Sequence, residues 1–332
     1  MRSPIFALRL RSAPWVFCLL ALLAVAGGKK VPTPEIDLSE YDFRDGDIVF
    51  QHLPSKLGSM IREVTDSPYS HCGMIAHRHS KPYVLEAIGP VRYLPLREWL
   101  KQGDRSQFAQ MRLKEVTDEQ IAAAIRAAEK FLGRPYDIQY ELDDEKIYCS
   151  ELVYKGYLRG AGLEVGKQET LGELKWEPHE AFIRAITGGP LPLQRVMVTP
   201  AAVANSPDLK LLYSNFPARR DDPTYSRNDL AGTWRGDYSI RALAPASVQV
   251  ELDKNGAFDA GTIQLVDGSA VPIRQLEVAP FARSREFTAR LTDARGFDSE
   301  VRGRVLDEAR RIVGTWSDGD GYRGVFSLER QE

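Results

Sequence analysis

The most regular stretch of the chain begins at residue 117. In "TDEQIAAAIRAAEKFLG", Ile121, Ala124, Ile125, Ala128 and Leu132 recur at three and four residues and form one apolar stripe. Thr117 and Gln120 have the form of a capping box and Gly133 stands past the last apolar position, so the spacing predicts a helix. Leu152, Val153, Gly156 and Tyr157 predict a second helix, opening near Cys149 with Gly160 as its C-terminal cap. Elsewhere the period shortens. "GDIVFQ" at 46–51 reads as a strand entered through the Asp45-Gly46 turn, and "SHCGMIAHRHSKPYVLEA" at 70–87 as two strands joined near "RHSKP". Residues 194–216 read as a strand, a short helical turn and another strand.

From Leu230 onward, runs such as "SVQVELD", "GTIQLVD", "REFTARLTD" and "GVFSLER" alternate and are parted by Gly and Asp. They predict a small all-β module over 230–332, barrel-like and lipocalin-like in kind. "GTW" occurs at 232–234 and again at 314–316; an up-and-down barrel pairs its first and last strands, which would account for matching terminal strands. Trp234 and Trp316 are either core residues of this module or the lining of a ligand cavity. "SDGDGYRG" at 317–324 lacks the spaced ligands and closing Glu of an EF-hand and reads as a hairpin turn. The polar "PARRDDPTYSRND" at 217–229 reads as a linker, leaving a first domain at 40–216. A length of 332 residues is long for a single core and agrees with two domains.

At the N-terminus, Arg2, Arg9 and Arg11 precede an apolar run from Ala13 to Ala26, and "AVAGG" supplies small residues for cleavage. This predicts a signal peptide over 1–26, a lead-in over 27–39, and an exported bacterial protein of the periplasm or cell envelope. The alternative is an uncleaved leader giving transient membrane association, although the run is short for a span. Cys18 lies inside the run rather than behind a cleavage site, which argues against lipid modification. A formal charge of -2 offers no electrostatic reason for a nucleic-acid partner.

Cys149 falls in the first turn of its predicted helix, where unpaired amides and the helix dipole favour a thiolate and can cradle an oxyanion. A free cysteine also packs well as a small hydrophobe. A nucleophile needs a base: His71, His77 and His79 cluster in the predicted hairpin, and His71, at a strand end, is the best placed. His77 and His79 read as solvated turn residues. A loop of even length centred near 78–79 makes residues 71 and 86 cross-strand neighbours, so Glu86 would hold the imidazole. Once the leader is removed, Cys72 and Cys149 remain, and a disulfide between them competes with a catalytic thiol in an oxidising compartment. Strand alternation opposes it: if His71 faces Cys149, Cys72 points away and is inert packing. There is no HExxH arrangement and no four-thiolate set, so neither metal nor other cofactor is expected.

Together, "GDIVFQ", "SPYSHCGMI", "VLEA", "LGRPYD" and "YCSELVY" resemble, in order and approximate spacing, the YiiX-like permuted papain-fold cysteine amidases, relatives of the NlpC-type cell-wall peptidases. The resemblance covers roughly residues 40–216 and implies an α+β, circularly permuted papain-like domain, since the histidine here precedes the cysteine helix. It implies Cys149 as nucleophile, His71 as base and Glu86 as the third polar group. Tyr148 and Gln51 are further oxyanion donors or structural residues, and Tyr136 of "GRPYD" is a residue of the substrate cleft. The implied substrates are small peptides or acyl-amides, peptidoglycan-derived ones among them. Two other readings stay open: a lipid acyl hydrolase or acyltransferase, and a non-catalytic ligand-binding protein of the envelope. A long apolar channel would mark acyl chains; a polar groove with a carboxylate-binding group would mark peptides.

Overall fold

The structure is a computed structural model that describes residues 36, 38, 41–217, 225–239, 246–265, 267–279, 281, 285–306 and 309–331. The predicted signal peptide, the lead-in apart from Ile36 and Leu38, and residues 218–224 of the predicted linker lie outside the described residues.

The first part of the chain runs β1 (Ile48–Gln51), α1 (Lys56–Val64), β2 (His71–Arg78), β3 (Lys81–Ala87), β4 (Val91–Pro95), α2 (Leu96–Gln102), β5 (Phe108–Leu113), α3 (Asp118–Glu129) and α4 (Cys149–Ala161). It continues through β6 (Glu169–Thr170), α5 (Glu180–Thr187), β7 (Val196–Met197), α6 (Pro200–Ala204) and β8 (Leu209–Ser214). Six strands form an antiparallel sheet in the order β4-β3-β2-β1-β5-β8. Strand β1 lies inside it and is buried on both faces, which is why it reads as an unbroken apolar run. Ile48 and Phe50 join Cys72, Met74 and the residues of α4 on one face, while Val49 joins Ile75, Val84 and Trp99 on the other.

Helix α3 opens on the expected box: Gln120 N–H donates to Thr117 Oγ1 at 3.2 Å, and Thr117 N–H to Gln120 Oε1 at 3.0 Å. Its buried residues are Ala124, Ala127 and Ala128, whereas Leu132 lies beyond the helix and is exposed. The small stripe admits α4 at close range. A Cβ at Gly160 would come within 2.3 Å of the Ala123 carbonyl oxygen, so this glycine serves helix crossing, not the expected cap. The helix continues to Ala161, and Gly162, at φ 69°, provides the left-handed cap.

The second part is a closed antiparallel barrel of β9 (Gly232–Tyr238), β10 (Ala246–Leu252), β11 (Phe258–Gln264), β12 (Ala270–Val278), β13 (Glu286–Asp293), β14 (Asp298–Leu306), β15 (Arg311–Asp318) and β16 (Arg323–Arg330). Strand β9 pairs with both β10 and β16. The first and last strands therefore close the ring, but the second "GTW" belongs to β15, the strand before the last. Barrel and sheet are in contact. Val313 enters the core that holds Ile48 and Cys149, Ser327 Oγ donates to the Leu211 carbonyl at 3.1 Å, and Lys210 meets Asp237 at 3.2 Å. The fold is thus α+β, a helix-flanked six-stranded sheet with a C-terminal barrel, as expected of the two domains. No helix among the described residues is long and apolar enough to cross a membrane.

Candidate active site

The β2–β3 hairpin positions the histidine. Its turn is His79–Ser80, both at positive φ (50° and 60°), and the ladder runs from Arg78↔Lys81 to Met74↔Leu85. The loop has the even length expected, but its centre lies one residue later. Glu86 is therefore level with Gly73, and His71 is its diagonal neighbour on the same face rather than its direct partner. The two side chains nonetheless meet: His71 Nε2 and Glu86 Oε2 are 2.8 Å apart. Both residues are buried.

Glu86 is held from its far side as well. Arg92 donates to Oε1 through Nε at 3.1 Å and Nη2 at 2.9 Å, and Gln102 Nε2 lies 3.5 Å from Oε1 and 3.4 Å from Oε2. Trp99, from α2, stacks on the imidazole with ring centroids 6.1 Å apart and an interplanar angle of 30°. Burial alone would push the Glu86 carboxyl up; His71 and then Arg92 outweigh it and bring the pKa down, so Glu86 is the anion of the cluster.

With Nε2 committed to Glu86, Nδ1 is the ring nitrogen left for Cys149, which engages the imidazole by hydrogen bond and by charge. Cys149 is the first residue of α4, after the cap position Tyr148, and Glu151 Oε2 accepts the Tyr148 N–H at 3.2 Å. The Cys149 thiol is pushed well below the ordinary thiol value. The Cys72 S–H donates to the sulfur; burial opposes the shift, and His71 and the Cys72 backbone N–H add to it. Burial works against the His71 cation too, but Cys149 and then Glu86 overcome it and raise the imidazole to about 9. The favoured state is a thiolate beside an imidazolium.

Cys72 departs from the expected inert packing. The alternation argument requires that one group cannot reach both faces of β2, yet Cys149 interacts with His71 and with Cys72. The β2–β3 ladder stops at Met74↔Leu85, and beyond it the Cys149 sulfur takes the Cys72 backbone N–H, so it lies at the strand edge with the side chains of His71 and Cys72 both at hand. Both cysteines are free thiols.

The other anticipated residues are distributed around this centre. Gln51 is the direct cross-strand partner of His71, fully buried, with neither amide atom hydrogen-bonded to another described residue. The Tyr148 hydroxyl accepts the Val198 N–H at 3.0 Å, which ties the helix start to the segment before α6. Tyr136 and Tyr140 share a hydroxyl contact of 2.9 Å, and the Tyr140 ring lies 4.7 Å from that of Tyr148. Burial first, then Tyr140 and Cys149, push the Tyr136 hydroxyl up, so an aromatic wall stands within electrostatic reach of the thiolate. His77 is engaged away from the site, its Nδ1 lying 2.8 Å from Asp45 Oδ1. Arg92, Gln102 and Trp99 were not anticipated. The alternation in "VRYL" is the signal for β4 and hence for Arg92, which pairs directly opposite Glu86.

Residues 42–213 match the family described as permuted papain-like amidase enzymes of the YaeF/YiiX, C92 type. The chain belongs to this family. The YaeF/YiiX match takes in both strands of the His71 hairpin, the Cys149 helix and all six strands of the sheet. Among family relatives, the uncharacterised protein YiiX of Escherichia coli strain K12 is 36% identical over 175 residues, covering 52% of this chain and 87% of the relative. The crystal structure of YiiX from Escherichia coli O157:H7, described as a metalloprotein, superposes with a TM-score of 0.51 at 36% identity, covering 52% of this chain and 98% of that one. A cysteine-hydrolase type of function goes with membership of the amidase family; the barrel lies outside the matched span.

Proposed function

We propose that the protein is an exported cysteine amidase that cleaves peptide or acyl-amide bonds of the bacterial envelope, with Cys149 as nucleophile, His71 as acid and base, and Glu86 as the carboxylate that orients and charges His71. The observation that carries the reading is the position of one imidazole between a carboxylate at 2.8 Å and the sulfur at a helix start. The Cys149 thiolate attacks the amide carbonyl, and the oxyanion forms against first-turn amides that have no intrahelical acceptor. The His71 imidazolium gives its proton to the leaving nitrogen, the C–N bond breaks, and an acyl-thioester remains. A water then attacks this carbonyl while neutral His71 accepts its proton, and the carboxylic acid leaves as the thiol sulfur departs. Export to the periplasm or envelope is supported by the pattern of the first 26 residues.

The relative's description as a metalloprotein prompts a test of the donor set. Among the described residues no three His, Cys, Asp or Glu side chains converge as a metal set, and the imidazole of His71 and the carboxylate of Glu86 are committed to each other and to Cys149 and Arg92. These residues do not fit a metal centre, and no step here uses one.

A second reading, hydrolysis or transfer of a lipid acyl group, is favoured by the wall of Tyr136, Tyr140 and Tyr148, which clusters with Leu171, Ile183 and Met197. Labelling with a thiol-reactive acyl-amide probe tests the assignment. Wild type and Cys72→Ala become labelled, Cys149→Ala does not, and His71→Ala is slowed by about 10²–10⁴-fold. Equal labelling of Cys149→Ala and wild type removes Cys149 from the mechanism. Turnover of acyl esters with none of peptide amides replaces the amidase by the lipid reading.

A further inference from the structure

The barrel encloses a cavity of about 580 Å³, within the range of small-molecule sites. An eight-stranded barrel is just wide enough for its own side chains to fill, and interiors ordinarily leave no void of this size. Here small and medium residues such as Ala289, Val248 and Val250 line the space. One end is shut. Leu230, in the 3-10 turn Arg227–Leu230 before β9, and Trp234 are both buried there, with Arg330 over the Trp234 ring at 4.8 Å. At the other end the cavity reaches the β11–β12, β13–β14 and β15–β16 connections, where the lining residues Phe297 and Tyr322 are 45% and 54% exposed.

The polar groups of the lining specify its occupant. Both indoles are already satisfied: Trp234 Nε1 donates to the Leu230 carbonyl at 2.7 Å and Trp316 Nε1 to the Ser239 carbonyl at 3.1 Å. The deep end therefore offers hydrocarbon contact alone. At the mouth, Arg295 is bound in a fork to Asp293 at 2.9 and 2.7 Å, so its charge is spent within the protein. In three of the four hairpins at this end, the described residues from 265 to 269, 293 to 298 and 318 to 323 carry Asp267, Asp293, Asp298, Asp318 and Asp320 against Arg295 and Arg323. That balance disfavours an anionic headgroup. Tyr238, the last residue of β9, lines the cavity beside Trp316 with ring centroids 5.9 Å apart, and its hydroxyl makes no hydrogen bond to another described residue.

We propose that the barrel is a binding site for a single-chain apolar molecule ending in an uncharged oxygen group, of the class of a fatty alcohol or ester, seated chain-inward with its oxygen at Tyr238. The site is separate from Cys149 and stands without the amidase assignment. The test uses the full chain with the neutral fluorophore N-phenyl-1-naphthylamine, displaced by 1-dodecanol or by dodecanoate. Expected are saturable enhancement, displacement by dodecanol about tenfold more effective than by dodecanoate, and a loss of about two- to tenfold in dodecanol affinity for Tyr238→Phe with the fluorophore unaffected. Val250→Trp and Leu291→Trp, each filling the lining, abolish enhancement in whichever retains the wild-type melting profile, while Cys149 labelling persists. Absence of saturable enhancement, or its survival in a folded filled variant, overturns the site. Equal or better displacement by dodecanoate overturns the uncharged headgroup.

Discussion

His71 and Glu86 are diagonal rather than direct neighbours in the β2–β3 hairpin, yet their side chains meet at 2.8 Å. The offset follows from the turn. Each step in hairpin register moves the carboxylate relative to Nε2, so the two residues at positive φ, His79 and Ser80, help set the orientation of the imidazole about 25 Å away along the strand, at roughly 3.3 Å per residue.

The thiol is depressed and the imidazole raised to about 9, so the reactive ion pair spans the interval between them. Labelling rate plotted against pH is expected to rise on an acid limb well below the ordinary thiol value and to fall through about pH 9 as His71 loses its proton. Stability follows the same shift. His71 is raised above its unfolded value of 6.5, so its contribution is full below that value and is lost as pH rises through about 9. Stopped-flow acylation by the acyl-amide probe, whose leaving nitrogen needs the His71 proton, and urea melts across pH 5 to 10 measure the two curves; an alkaline limb near 6.5 would separate His71 from both partners.

Replacing the carboxylate tests the cause of the raised imidazole. In Glu86→Gln the anion that favours the cation is gone, so the alkaline limb moves below 9 and the rate falls by about ten- to a thousandfold. A merely structural Glu86 would lower the amount of folded enzyme without moving the limb.

Cys72→Ala removes the S–H donor to the Cys149 sulfur but leaves the backbone N–H of residue 72 in place. The acid limb is expected to shift to higher pH, with the plateau rate changed by less than about threefold, a difference under 1 kcal/mol. Alkylation read peptide by peptide in a mass spectrometer distinguishes this from a loss of labelling at Cys149.

Away from the site, Asp47 is a buried carboxylate that receives Arg112 Nε at 2.6 Å, Arg112 Nη2 at 2.8 Å and Gln110 Nε2 at 2.7 Å. Arg112→Ala strands this charge beside β1. The expected cost is about 3–5 kcal/mol, measured as a lower midpoint in chemical denaturation.

The legible parts of the fold were those in which local chemistry and tertiary packing agree. The Thr117 box, the first turn at Cys149 and the alternating barrel strands each carry their signal in adjacent residues. The hairpin centre was displaced because His79 and Ser80 adopt positive φ without the Asn or Gly that normally marks such a turn. Gly160 resembled a cap until the crossing with α3 supplied a stronger reason for it. Arg92 was illegible as the partner of Glu86: the chain has 44 Lys and Arg residues, and only the β3–β4 register selects one. Cys72 was misjudged because strand alternation describes a single strand and cannot include a helix end that meets it from beyond the ladder.

The pairing of β9 with β16 has a consequence for biosynthesis. On a ribosome, the sheet around the thiol has all its strands once Ser214 has emerged, whereas the ring stays open until Arg323–Arg330 follows. Until then β9 and β15 present bare edges, the kind of surface on which nascent chains stick to one another. A stop codon before residue 323 would therefore leave a complete thiol sheet trailing an adhesive ribbon, so the last few codons protect solubility more than chemistry.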